Sequence, residues 1–271
     1  MCGTVKTQLT WLTGFANRTF AEPSRRLRGH RTPWVVPLLT LVTMLPSVSI
    51  AAINLEFRPP QKIARPGEWV DAGLYTVSDN ASNQPISAMD VLLQWDPTTL
   101  QLIGVINNGP FGWFQSGFLD DSGLDGLNNT FADGDAKYTA LGQFANPAMA
   151  TPAGLLVTTI RFQAIAETPL NTVTIPLMLG NSTETGVYGT AVPGQDVTGT
   201  LGVSEVMICP GAADGDINLD GNTDGLDIQS FIQAMILEST AFSDVCRADF
   251  SGDSEVSVND IAGMVQSLLD G

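Results

Sequence analysis

Asp216-Ile217-Asn218-Leu219-Asp220-Gly221-Asn222-Thr223-Asp224-Gly225-Leu226-Asp227 sets oxygen-bearing side chains at the places a calcium loop needs them. Counted from Asp216, they fall at positions 1, 3, 5, 9 and 12, with glycine at position 6. A hard cation gathers several oxygens around it, and alternate residues of a tightly curled loop can all point inward. Asp216, Asn218, Asp220 and Asp224 supply side chains, and Asn222 supplies its backbone carbonyl. Asp227 closes the sphere from the first turn of a helix expected over Ile228 to Leu237. Gly221 permits the sharp bend.

A shift of 33 residues reproduces the pattern, with Asp249, Ser251, Asp253, Ser257 and Asp260 as ligands and Glu255 at the carbonyl position. The apolar residues that follow shift likewise. Ile228, Phe231, Ile232, Met235 and Ile236 map onto Ile261, Met264, Val265, Leu268 and Leu269, one stripe on each of two helices. Neither helix can bury such a stripe alone, so the repeats are expected to pack face to face as one all-α unit with two structural calcium ions. The second loop departs in one place. Ser254 stands where the glycine should be, which predicts lower affinity or a strained turn.

Two calcium loops, each followed by a helix, without the helix that precedes an EF-hand loop and with Asp at position 12, resemble a dockerin domain over Asp216 to Leu269. The resemblance implies a calcium-folded module that docks onto a partner domain called cohesin. Dockerins often read that partner through loop positions 10 and 11, commonly Ser-Thr in one class. Here those positions hold Gly225-Leu226 and Val258-Asn259, the candidate partner contacts, so partner specificity does not carry over.

The formal net charge is −16, but the basic residues are unevenly placed. Six of the 12 (Lys6, Arg18, Arg25, Arg26, Arg28, Arg31) and one acid, Glu22, precede residue 52, leaving 27 acids against six bases beyond it. Such a surface repels phosphate backbones and attracts cations, which excludes nucleic acid as a partner. The single histidine, His30, also lies in the N-terminal stretch. Imidazole bases, Ser-His-Asp triads and His-containing zinc sites are therefore excluded beyond it, and a carboxylate pair is the one common hydrolytic device left. Cys209 and Cys246 bracket the first loop repeat and are expected to form a disulfide, worth about 3 to 4 kcal/mol on the loop-entropy model.

Residues 1–51 read as an export signal. A basic cluster from Arg25 to Arg31 precedes the apolar run Trp34 to Ile50, with small residues for cleavage before Ala52. The run is short for a membrane span and contains Pro37 and Pro46, so no span is expected after cleavage; an uncleaved anchor is the alternative.

From Ile53 to about Ile208 the period changes to two. Met89, Val91, Leu93 and Trp95 alternate with polar neighbours, as do Leu156 to Ala164. Val173, Ile175, Leu177 and Leu179 form a third stripe, in which Pro176 suggests an edge strand. Shorter candidates are Ile53 to Phe57, Trp69 to Thr76, Leu100 to Val105, Lys137 to Leu141 and Val197 to Val206. Short strands between Gly, Asn, Asp and Pro clusters argue a mainly β, antiparallel sandwich over residues 53–207, followed by the calcium module over residues 208–271. The phrases RPGEWVDAGLYTV (65–77), ISAMDVLLQWDPTTLQLIGV (86–105) and GLLVTTIRFQAIAETPLNTVTIPLM (154–178) resemble the strand order of a cohesin domain. That resemblance implies a jelly-roll sandwich, related to some carbohydrate-binding modules, that receives dockerins on one sheet face.

Three smaller features remain. Asp120, Asp121, Asp125, Asp133 and Asp135 sit in a Gly-rich segment read as a solvated loop. Phe111, Trp113, Phe114 and Phe118 offer either a sugar-stacking platform or a lid on one end of the core. Asn80, Asn128 and Asn181 begin glycosylation sequons. The expectation is a secreted or cell-surface, non-catalytic protein that docks through cohesin–dockerin-type contacts with a cohesin- or dockerin-bearing partner, including itself. A carbohydrate-binding sandwich attached through its calcium module is the alternative. A carboxylate glycoside hydrolase is the third reading.

Overall fold

Alternating burial along the chain shows why these segments are strands. In Ile53–Arg58 every second side chain is inside, and in Asp135–Leu141 the same alternation runs with Ala136, Tyr138 and Ala140 buried. The computed structural model describes residues 52–270 except 108, 120–125, 144, 181–182 and 191–193; the expected leader, residues 1–51, lies outside the described residues. In chain order the strands are β1 (Ile53–Arg58), β2 (Gln61–Ala64), β3 (Trp69–Ser78), β4 (Gln84–Gln94), β5 (Leu100–Asn107), β6 (Gln115–Gly117), β7 (Asp135–Leu141), β8 (Ala148–Ala150), β9 (Leu155–Ala164), β10 (Thr168–Thr174), β11 (Met178–Leu179), β12 (Thr183–Glu184), β13 (Gly186–Gly189), β14 (Thr198–Leu201) and β15 (Val203–Ile208). Three helices follow: α1 (Asp227–Ile236), α2 (Phe242–Ala248) and α3 (Ile261–Asp270).

The strands make a sandwich. One sheet runs β14-β1-β3-β9-β5. The larger one runs β2-β15-β10-β4-β7-β6, with β8 and β13 also against β4 and β11-β12 as a separate ribbon. The core between them is apolar and closely packed: Leu74, Leu93, Tyr138, Ile160 and Phe162 are fully enclosed, and Trp95 meets Phe162 edge-on at 5.3 Å.

Two pairings depart from the antiparallel expectation, since β1 with β14 and β2 with β15 run parallel. The cause is a double change of sheet. The chain leaves the smaller sheet after β1 at Pro59-Pro60 and after β14 at Gly202, and enters the larger sheet as β2 and β15. Val197 to Val206 is thus two strands, and Gly202 is where they part. A Cβ there would stand 2.8 Å from the Leu55 carbonyl oxygen. The third stripe also ends early. β10 stops at Thr174 and lies between β15 and β4, so it is interior; Pro176 falls beyond its end and Leu177 is exposed.

A second apolar cluster joins the helices to the sandwich. Phe231 and Ala234 of α1, Val245 and Ala248 of α2, Val256 and Met264 pack with Ile63 of β2 and Met207 of β15. Helix α2 was not expected; Phe242, Val245 and Cys246 give it an apolar side too short for a periodic signal. The helical stripes are only half buried. Phe231 and Met264 are inside and Met235 and Leu268 are partly covered. Ile228, Ile232 and Ile236, like Ile261, Val265 and Leu269, face out, so the repeats do not bury their stripes against each other as expected.

Candidate metal centre

Both loops are organised by backbone N–H groups donating to carboxylates. In the first, Asn218 and Asp224 donate to the two oxygens of Asp227 (3.0 and 2.9 Å), and Asp220 and Gly221 donate to the two oxygens of Asp216 (3.0 and 3.1 Å). In the second, Ser251 and Ser257 donate to Asp260 (both 2.7 Å), and Asp253 and Ser254 donate to Asp249 (3.2 and 2.9 Å). Asn222 donates to Asp220 as Glu255 does to Asp253, and Leu226 to Asp224 as Asn259 does to Ser257. Every one of these bonds maps onto its counterpart under the 33-residue shift. In the second loop positions 9 and 12, Ser257 and Asp260, form a capping box on the short turn Val258–Asp260 that leads into α3, so the candidate ligand at position 12 also helps to start the helix. Asp216, Asp227, Asp249 and Asp260 are buried, whereas Asn218, Asp220, Asp224, Ser251 and Asp253 open toward solvent.

The two backbones coil alike while the side chains differ. Leu219 and Gly252 hold position 4 with φ of 63° and 77°, and Gly221 and Ser254 hold position 6 with φ of 91° and 71°. Each loop therefore has one glycine and one ordinary residue in the left-handed region, and the cost expected at Ser254 has a match at Leu219.

Fit to a cation is tested by how closely the donors gather. Carboxylate oxygens of Asp249, Asp253 and Asp260 lie within 4.8 Å of one another, a span that one calcium ion with bonds of about 2.4 Å bridges. In the first loop Asp220 is held differently: the side-chain amides of Asn218 and Asn222 donate to it at 3.1 and 3.3 Å. The amide of Asn222, aided by these side chains, keeps the Asp220 carboxyl below its ordinary pKa despite slight desolvation. An anionic, all-oxygen donor set suits a hard cation in both loops.

The repeats are clasped to each other. Cys209 and Cys246 are bonded, with Cα atoms 5.2 Å apart. Asp214 pairs with Arg247, its own equivalent under the 33-residue shift, and Gly215 N–H donates to the Arg247 carbonyl at 2.8 Å. Leu226, Val258, Gly225 and Asn259 are all exposed at the loop ends of the helices. Sequence reasoning missed Arg65, whose guanidinium donates to the carbonyl of Asp249 at 2.8 Å across 184 residues of chain. No local pattern marks such a contact.

The other candidates sort by burial. Trp113 packs on the core and donates its indole N–H to the Val157 carbonyl at 3.2 Å; Phe111 and Phe118 pack there too, leaving Phe114 as the exposed ring of that run. Phe114 borders a hollow of about 1040 Å³ with Ala88, Leu141, Gln143 and Tyr188. Asn128 is committed internally, with its amide to the carbonyls of Leu119 and Lys137 and its oxygen to Lys137 N–H. Asn80 lies exposed in a turn, while Asn181 and Asp120, Asp121 and Asp125 lie outside the described residues. Asp133 is exposed, and Asp135 opens β7 opposite Gln94.

No family model matches the chain, and no curated protein matches it either. Solved structures do. A cohesin module of a family 33 glycoside hydrolase from Clostridium perfringens is 11% identical, covering 59% of this chain and 98% of its own, with a TM-score of 0.43. A type I cohesin–dockerin complex from Clostridium thermocellum contains a chain 12% identical (58% and 99%, TM-score 0.41). The third ScaB cohesin of R. flavefaciens, in complex with a group 1 dockerin, is 20% identical (59% and 97%, TM-score 0.38).

Proposed function

We propose that this is an exported, non-catalytic interaction protein in which a jelly-roll, cohesin-like sandwich carries a dockerin-like module folded by calcium. It would work in a cell-surface or extracellular polysaccharide-associated assembly. The observation that carries the reading is the exposure of the same three helix positions in both repeats: Ile228, Ile232 and Ile236 on α1, and Ile261, Val265 and Leu269 on α3. Three apolar side chains, one turn apart, with Ile236 72% and Leu269 76% exposed, are costly to leave in water. They form the kind of ridge a helix lays into a partner's groove. Leu226 and Val258 stand exposed at the loop ends of the ridges.

Asp216, Asn218, Asp220, Asp224 and Asp227 with the Asn222 carbonyl would hold one calcium ion, and Asp249, Ser251, Asp253, Ser257 and Asp260 with the Glu255 carbonyl the other. Bound calcium supplies charge neutralisation that lets the carboxylates stay gathered and the helices stay ordered. The ridges then face a cohesin-bearing protein, and the sandwich a dockerin-bearing one, a second copy of this chain included. Binding of residues 52–271 to immobilised cohesin and dockerin modules, and their self-association in the ultracentrifuge, test the reading in calcium. Ile232→Glu with Val265→Glu is expected to weaken ridge-mediated binding at least hundredfold. Failure to bind any module and to self-associate would sink the reading.

The hollow beside Phe114 favours a second reading, carbohydrate binding by the sandwich, because an exposed ring at a concave surface suits the apolar face of a sugar. Retention on insoluble polysaccharide, lost in Phe114→Ala, would support it.

A further inference from the structure

We infer that the second calcium loop is completed by the sandwich: Arg65 and strand β2 hold Asp249 and Ser254 in place, so that calcium bound there stabilises the sandwich as well as the helices. The inference rests on the calcium-binding reading above and goes beyond it.

Arg65 follows β2 directly and its side chain is mostly buried, with 16% exposure. It donates from Nε to the Gly211 carbonyl at 3.1 Å and from Nη2 to the Asp249 carbonyl at 2.8 Å, while Nη1 stands 3.9 Å from an Asp249 carboxylate oxygen. Arg65 thus ties the linker to the residue at position 1 of the loop. Ser254 makes a second tie. Its N–H donates to Asp249 at 2.9 Å and its hydroxyl donates to the Ile63 carbonyl of β2 at 3.3 Å. The hydroxyl at position 6, which the glycine rule marks as a defect, is a link from the ligand loop to the sheet edge.

Packing follows the same seam. Ile63 and Met207 of the sandwich share one buried cluster with Val256 and Met264 of the second repeat, with Ala248 of α2 and with Phe231 and Ala234 of α1. Cys209, one residue after β15, donates its N–H to the Ala64 carbonyl at 2.9 Å and carries the disulfide to α2. The first loop has no such support at the matching position. Gly221 has open space where a side chain would go.

An ion that binds only the folded loop stabilises everything that folds with that loop. Arg65 and Ser254 act through Asp249 and the loop backbone, so they are positioning residues. The natural reporter is tryptophan. Trp69, Trp95 and Trp113 all lie in the sandwich, and no tryptophan follows residue 113. In residues 52–271, thermal unfolding followed by tryptophan fluorescence is expected to rise by about 5 °C or more at calcium one hundred times its dissociation constant. Asp249→Ala should remove most of that rise and Asp216→Ala little of it. Arg65→Met and Ser254→Gly should each roughly halve it, with loop-one binding unchanged in a calorimetric calcium titration. Ser254→Gly keeps the experiment decisive if Arg65→Met does not fold, because the first loop already carries glycine there. Two ions bound with no tryptophan shift would overturn the inference and leave the calcium reading standing. A shift unaltered in both seam variants would do the same, and no ion bound in the calorimeter would overturn both.

Discussion

The first and second loops share a frame and differ in their neighbours. In both, the carboxylates at positions 1 and 12 collect the same four backbone amides, to which Gly252 adds a fifth in the second loop, and the side chain at position 9 accepts the N–H of position 11. Around that frame the first loop opens to solvent at Gly221, whereas the second reaches strand β2 through Ser254 and is backed by Arg65. The lesson is that a repeat is equivalent only as far as its local hydrogen bonds extend. Once a sheet edge touches one copy, the same spacing of oxygen side chains stands clear of the sheet at position 6 in one loop and is tied to it in the other.

The largest break in the equivalence should come from the shared frame itself. Asp227→Ala and Asp260→Ala each delete a proposed ligand and leave two amides without their acceptor, at a cost of about 2 to 6 kcal/mol. Each variant should lose the ion of its own loop in a calorimetric titration, and only Asp260→Ala should also lower the tryptophan-monitored transition. Breaking the clasp comes next. Cys209→Ser with Cys246→Ser removes a bridge of 37-residue separation and should cost about 3 to 4 kcal/mol in denaturant unfolding followed by helix signal. The smallest effect is the most telling. Leu219→Gly relieves a left-handed residue whose side chain is largely exposed and should stabilise the first loop by about 0.5 kcal/mol net of chain entropy. Ser254→Gly relieves the same conformation but loses the bond to Ile63, so it should be neutral or destabilising by a similar amount. Equal responses to the two glycine variants would restore the equivalence of the loops.

Much of this was legible because it is local. The helices begin where position 12 predicts, at Asp227 and at Ile261 just after Asp260, and in the second loop the candidate ligands Ser257 and Asp260 are themselves a capping box. The strands around Met89, Ile160 and Tyr138 were readable because a half-buried strand must alternate. Pro176 misled because a proline just past the end of an interior strand leaves the same trace as one on an edge. Trp113 and Phe114 are neighbours in the chain with opposite fates, one on the core and one in solvent, and composition does not separate them.

By itself the sequence determined the two loop frames, the helix starts and the period-two segments, since each depends on residues within a few positions of one another. Tertiary structure alone decided that β1 and β14 change sheet together, that half of each helical stripe stays in water, and that Arg65 reaches Asp249. Those outcomes depend on which surfaces meet after the chain closes on itself. Burial and hydrogen bonding between residues nearly two hundred positions apart leave no periodic mark in either segment.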